Sequence, residues 1–163
     1  MKKLRRLEGK TDYKARAIML KYPKARIIFR KTNRYLIGQF IKTKESQDFV
    51  VTGVISKDLL NYGVDKKASG SLKSISVAYL TGFLLGKKIN DKEDKPEAIF
   101  DIGLIRNVKG SRAYSFLKGV IDAGVKVNAG KEVFPEESRL LGRHMKNNLE
   151  IEKIKSEIEK RFK

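Results

Sequence analysis

The side chains of this chain that could do covalent or acid–base chemistry are few. His144 is the one histidine and cysteine is absent, so disulfides, thiolate nucleophiles, zinc ribbons and paired-histidine metal sites are excluded, and any serine triad would have to use His144. That histidine lies among Arg143 and Lys146 with no motif around it, as expected of a surface or RNA-facing residue. Asp101, closing an apolar run, is the best candidate for a metal carboxylate. A nuclease of mixed-sheet type would need further acids converging on it, yet Arg30 and Lys31 stand where such acids could sit. Capping of the following loop is the stronger reading of Asp101, and capping or pairing near a helix end that of Asp122. Gly103 to Arg112 has the strand, loop and helix of a nucleotide-binding loop but lacks its Gly-Lys-Ser or Gly-Lys-Thr order. NTPase chemistry is therefore not expected, although Arg106, Lys109 and Arg112 around a helix N-terminus could cradle a phosphate.

Positive charge is what the chain has in abundance. Its 37 Lys and Arg against 19 Asp and Glu give a formal net charge of +18. The first 34 positions hold a dense basic cluster, opposed only by Glu8 and Asp12. Such a surface repels itself unless a partner neutralises it, and the partner with matching charge spacing is nucleic acid. Tyr13, Tyr22 and Tyr35, interleaved with the cations, suit stacking on splayed bases, whereas Phe29 and Phe40 sit among aliphatics and are expected in the core. Zinc-finger spacing and a basic-zipper heptad are both missing, so RNA of complex shape fits better than a regular duplex.

A hydrophobic content of 40% is enough for a folded body. The run from Ile75 to Leu85 is broken by Ser76 and Thr81 and falls short of the ~20 residues of a membrane span. A secretory signal is not expected, because no apolar core follows the basic start; Glu8, Asp12 and the lack of serine there argue against a mitochondrial presequence.

The elements that must position these residues follow from local patterns. Thr11 or Asp12 caps a helix to about Lys21, stopped by Pro23. Arg26 to Arg30, Tyr35 to Ile41 and Phe49 to Ile55 are β-rich runs of strand length, predicting three sequential antiparallel strands joined by a tight turn at Asn33-Arg34 and a polar turn over Lys42 to Asp48. Helical spacing from Ser71 to Ile89 predicts a long buried helix, with Gly82 and Gly86 allowing close packing of helix on sheet. Ala98 to Ile102 follows as a strand parallel to an earlier one, and Gly110-Ser111-Arg112 opens a second helix through Asp122, stopped by Gly124. Pro135 can occupy the first turn of a shorter helix from Glu136 to about Lys146. Leu149, Ile151, Ile154, Ile158 and Phe162 mark an amphipathic helix expected to dock on its own domain or a neighbour rather than a membrane. The predicted fold is α/β, a mixed β-sheet of order βββαβα flanked by helices, with a basic N-terminal arm and helix over 1–24, an α/β core domain over 25–130 and a C-terminal helical extension over 131–163.

Several segments taken in order resemble one family. Arg5 to Arg16, Ala78-Tyr-Leu-Thr-Gly82, Asp101-Ile-Gly-Leu104, Lys109-Gly-Ser-Arg112 with Leu117-Lys-Gly119, and Asp122-Ala-Gly124 with Glu132-Val-Phe-Pro135 are similar to the archaeal and eukaryotic branch of the universal large-subunit ribosomal protein family L-eighteen. The resemblance implies the same mixed sheet preceded by a basic arm. It also implies a structural, non-enzymatic role without cofactor in the cytoplasmic large ribosomal subunit, binding 5S rRNA beside large-subunit rRNA and neighbouring ribosomal proteins. Carried over by position, it implies RNA contacts from Arg5, Arg6, Lys10, Thr11, Tyr13 and Arg16, from Arg30, Lys31, Asn33 and Arg34, and from Arg106, Lys109, Ser111 and Arg112. The short C-terminus favours an archaeal-type member. A metal-dependent nuclease using Asp101, and a non-specific RNA chaperone, are the alternatives.

Overall fold

Strand β1 (Ala25–Lys31) is where two chemistries part, because alternate residues of a strand face opposite sides. Ile27 and Phe29 point into the core, while Arg26 and Arg30 fall on the other face. In the computed structural model of the chain, which describes residues 4–22, 24–45, 47–64, 72–142 and 150–162, β1 is the centre of a five-stranded sheet. It pairs antiparallel with β2 (Leu36–Lys44), which pairs antiparallel with β3 (Gln47–Ile55). On its other side it pairs parallel with β4 (Glu97–Asp101), and the two-residue β5 (Lys126–Val127) continues the parallel edge. The order is β3-β2-β1-β4-β5. This is the expected mixed sheet, with one short strand that the sequence pattern was too brief to mark.

Thr32 organises the first turn, where its amide donates to the Tyr35 carbonyl and its hydroxyl accepts from the Tyr35 amide, both at 2.9 Å. The second turn is much tighter than Lys42 to Asp48. Thr43 pairs with Asp48 and Lys44 with Gln47, and Glu45 takes the left-handed conformation at φ 51°. Polar side chains disguised these residues as a loop, but a strand end whose side chains reach water has no need of apolar ones. At Phe40/Ile41 the register shifts by a bulge, and Lys92 donates to the Val51 carbonyl at 2.7 Å.

Helices α1 (Leu4–Leu7) and α2 (Tyr13–Leu20) precede the sheet, and Asp12 caps α2 by accepting from the amides of Lys14 and Ala15. A 3-10 turn over Ser56–Tyr62, absent from the sequence expectation, leads from β3 towards α3 (Ile75–Asn90). The cap of α3 is Ser74, whose hydroxyl accepts from the Val77 amide; the expected start at Ser71 lies outside the described residues. Helix α4 (Arg112–Asp122) then ends before Gly124, at φ 106°.

The two long helices meet more closely than helices usually do. A Cβ on Gly82 would lie 2.0 Å from the Phe116 carbonyl oxygen, and one on Gly119 would lie 2.1 Å from that of Tyr79. The close approach therefore joins helix to helix, correcting the expectation that Gly82 and Gly86 pack on the sheet. Phe116 lies against the sheet instead: its ring centroid is 5.1 Å from that of Phe29 and 6.3 Å from that of Phe100, and Gly38 of β2 leaves room for it.

Pro135 precedes Glu136, the cap of the single-turn α5 (Glu137–Leu140), rather than occupying its first turn; Lys146 and Leu149 lie outside the described residues. A 3-10 turn at Lys131–Val133 comes before it. Helix α6 (Ile151–Arg161) buries Ile151, Ile154 and Ile158 in the same apolar cluster as α3 and the sheet. Arg161 fastens its end, donating to the Asn61 carbonyl at 3.0 Å and lying 4.5 Å from the Tyr62 ring centroid. The amphipathic tail thus docks on its own domain, and among the described residues no helix is long and apolar enough to cross a membrane.

Gly82→Ala and Gly119→Ala are each expected to lower stability by about 1–3 kcal/mol, because each new methyl meets a backbone carbonyl that cannot rotate away. This outweighs the ~1 kcal/mol that alanine gains over glycine in an open helix. Gly130→Ala, with nothing within 4 Å, should stay within about 0.5 kcal/mol of the parent. Urea midpoints at constant slope read the difference, and a neutral Gly82→Ala would contradict the close helix contact.

Candidate nucleic-acid interface

The sheet face opposite α3 and α4 carries Arg26 and Arg30, and a groove of about 540 Å³ runs between it and the N-terminal segment. Helix α2 has no fully buried residue, so apolar burial contributes little to holding it. Arg5, Lys10, Thr11 and Arg16 line the groove from the N-terminal side, Arg26 and Arg30 from the sheet, and Gly103, Leu104 and Ile105 from the loop after β4. Cations near the start of the chain thereby meet a loop that follows the fourth strand.

Arg26 is the buried centre of this face, with only 2% of its surface exposed. A guanidinium taken from water needs opposing charge and hydrogen bonds; other strands of the sheet supply them to its two terminal nitrogens, while Nε is buried without a hydrogen-bond partner among the described residues. One terminal nitrogen contacts Asp48 Oδ1 at 2.5 Å and donates to Thr43 Oγ1 at 3.2 Å; the other lies 3.5 Å from Asp101 Oδ2. Each aspartate also holds a second arginine. Asp48 Oδ2 accepts from Arg16 at 2.9 Å, and Asp101 Oδ1 lies 3.4 Å from Arg30. Partial burial pushes the Asp48 carboxyl upward, but the Thr43 hydroxyl and the Arg26 and Arg16 guanidinium groups outweigh it and hold the pKa below its ordinary value.

Asp101 also does what its sequence position implied: its Oδ1 accepts from the Gly103 amide at 2.7 Å, closing the turn after β4. Gly103 adopts φ 61°, and a Cβ there would come within 2.9 Å of the Arg30 guanidinium carbon. The left-handed backbone favours glycine here, and any Cβ would also make the Arg30 guanidinium shift. Arg30 donates further to the carbonyls of Phe29 and Asp101 at 2.8 and 3.2 Å.

Of the expected contact residues, Arg5, Lys10, Thr11, Arg16 and Arg30 line this groove, whereas Lys31, Asn33, Arg34, Arg106, Lys109, Ser111 and Arg112 are not among its lining residues. Arg5 donates to Thr11 Oγ1 at 3.2 Å, Lys10 pairs with Glu8 at 2.8 Å, and Tyr13 is half-buried. Arg6 belongs to α1. Lys31, Asn33 and Arg34 are exposed at the end of β1 and in its turn, where Lys73 donates to the Asn33 carbonyl. Arg106, Lys109 and Arg112 are exposed on the loop and at the start of α4, and Lys109 pairs with Glu132 at 3.4 Å. Ser111 takes the cap position of α4 without a side-chain capping bond. Tyr22 is exposed, whereas Tyr35 packs against the core; His144 lies outside the described residues. Sequence reasoning missed Arg26 and Asp48 as a pair. The only available signal was a cation set in an otherwise apolar strand, which asks for a buried counter-charge.

A family model described as "Ribosomal large subunit proteins 60S L5, and 50S L18" matches residues 1–96. The large ribosomal subunit protein uL18 of Korarchaeum cryptofilum is 42% identical over 158 residues, covering 97% of this chain and 78% of that protein. Its namesake in Methanobrevibacter smithii is 40% identical over 146 residues, covering 90% and 73%. That of Methanothermobacter thermautotrophicus is 39% identical over 158 residues, covering 97% and 79%.

A carboxylate with a depressed native pKa stabilises the fold above its unfolded pKa, and that contribution is lost as pH falls through the native value. Below about pH 4, therefore, the parent should lose stability more steeply than Asp48→Asn, which has no such proton to take up. Urea midpoints across the acid range measure both limbs, and parallel limbs would detach Asp48 from the arginine network.

Proposed function

The chain belongs to the family of large ribosomal subunit proteins known as 60S L5, 50S L18 and uL18, and from that membership we propose that its RNA ligand is 5S rRNA, which it helps to seat on the large subunit. As a member it is a structural, non-enzymatic constituent of the large subunit, associating with rRNA and other ribosomal proteins. The observation that carries the 5S reading is convergence. The motif segments Arg5 to Arg16 and Asp101 to Leu104, far apart in sequence, form facing walls of one basic groove.

Affinity comes from guanidinium and ammonium groups meeting phosphates, and specificity from how the folded body spaces them against an RNA of defined shape. In this reading Arg5, Arg6, Lys10, Thr11, Tyr13 and Arg16 act from the N-terminal arm and helix. Arg30, Lys31, Asn33 and Arg34 act from the end of β1, and Arg106, Lys109, Ser111 and Arg112 from the loop before α4. The Lys109–Glu132 pair is exposed on both sides, so it is little obstacle to a phosphate taking the ammonium. A nuclease centred on Asp101 is not favoured, because that carboxylate faces Arg26, Arg30 and the Gly103 amide rather than other acids.

Binding of a 5S rRNA transcript should fall linearly on a log–log plot against salt, with a slope of about −0.7 to −0.9 for each phosphate contact. Arg34→Ala and Arg106→Ala should each reduce that slope by about one contact. Affinity measured across a salt series, with tRNA as competitor, tests the proposal. A flat salt response excludes the electrostatic mechanism, and equal affinity for tRNA would leave a general RNA chaperone.

A further inference from the structure

A face that works by meeting phosphates has two carboxylates at its centre, and charge alone would place none there. Both are fully occupied. Asp48 gives one oxygen to Arg26 and the other to Arg16; Asp101 divides its oxygens between Arg26 and Arg30 and also accepts the Gly103 amide. The side chain of Arg26, 3% exposed, offers no surface to RNA, whereas those of Arg16 and Arg30 are 35% and 42% exposed on the groove. The order across the face is Arg16, Asp48, Arg26, Asp101, Arg30, with a buried cation joining two half-exposed ones through carboxylates.

We propose that Asp48 and Asp101 are positioning residues for RNA, bridged by Arg26, which fix the guanidinium groups of Arg16 and Arg30 at a set spacing so that both engage one RNA backbone without first being ordered. The inference rests on the 5S rRNA reading and specifies how that site recognises shape. A free arginine loses rotamer freedom on binding; one already held by a carboxylate has lost it in the folded protein. The carboxylate also repels phosphate. The two effects have opposite signs, so removing the carboxylate separates them.

The test is the affinity of Asp48→Asn and Asp101→Asn for a 5S rRNA transcript and for tRNA, beside Asp94→Asn, a change of the same charge at an exposed turn residue. Asp94→Asn should bind both RNAs as tightly as the parent or more tightly. Asp48→Asn and Asp101→Asn should bind 5S rRNA about three- to tenfold more weakly, despite their added positive charge, with tRNA binding not weakened. Urea unfolding under the binding conditions establishes that each variant is folded. If Asp101→Asn is not, Asp48→Asn decides, since Asp48 stands near the start of β3 with a partly exposed side chain. In an Arg16→Ala background Asp48→Asn should have lost most of its effect on 5S affinity, which a purely structural role would leave intact. Unchanged or tighter 5S binding by folded Asp48→Asn, or an undiminished effect without Arg16, overturns the proposal. A parent protein that does not prefer 5S rRNA to tRNA refutes the underlying function instead.

Discussion

Burying one guanidinium on the outer face of the sheet constrains much of what surrounds it. Arg26 sits on the central strand, so its counter-charges must come from strands on either side: Asp48 from the β3 end of the antiparallel meander and Asp101 from the end of the parallel strand β4. Neither half of the sheet can satisfy the cation alone. The meander and the crossover unit are therefore coupled by an electrostatic requirement as well as by backbone pairing, and the N-terminal helix is tied to the same centre through Arg16.

The opposite face depends on distance rather than charge. With glycine at 82 and 119 the backbones of α3 and α4 approach to carbonyl contact, and this brings Phe116 under Phe29 and Phe100. Helix α3 is then enclosed by the sheet, α4 and α6, which explains why its buried residues run through every position from Ser76 to Gly86 instead of following a single stripe. The two faces of β1 thus carry separate tasks, with apolar packing beneath and charge organisation above.

Much of this was legible in the sequence where a signal is local. A cap at Thr11 or Asp12, the three-strand meander, the parallel return after the long helix and the apolar spacing of Ile151, Ile154 and Ile158 depend on neighbours a few residues apart, and the structure has them, with Asp12 as the cap. Features set by distant partners were harder to see. Gly82 carries no mark of whether a helix or a sheet will approach it, and the polar residues from Lys42 to Lys44 look like a loop until their backbones are paired. The basic content of the arm could be read directly, but the Arg26–Asp48 contact joins residues on non-adjacent strands and needed the fold itself. Strand β5, two residues long, is shorter than any useful period.

The bulge in the β2–β3 ladder and the lysine that reaches the Val51 carbonyl bear on colloidal behaviour. Strand β3 is the outer strand of the meander and displays Phe49, Val50 and Ile55 to water, a composition that invites strands of other copies to add on. The bulge twists the ladder locally, and the Lys92 ammonium sets a positive charge on this outer strand at the Val51 carbonyl. Two copies meeting edge to edge would also have to desolvate that ammonium and bring two highly basic chains together. These local obstacles act against fibril-like stacking of the free protein, a hazard distinct from its folding and from its affinity for RNA.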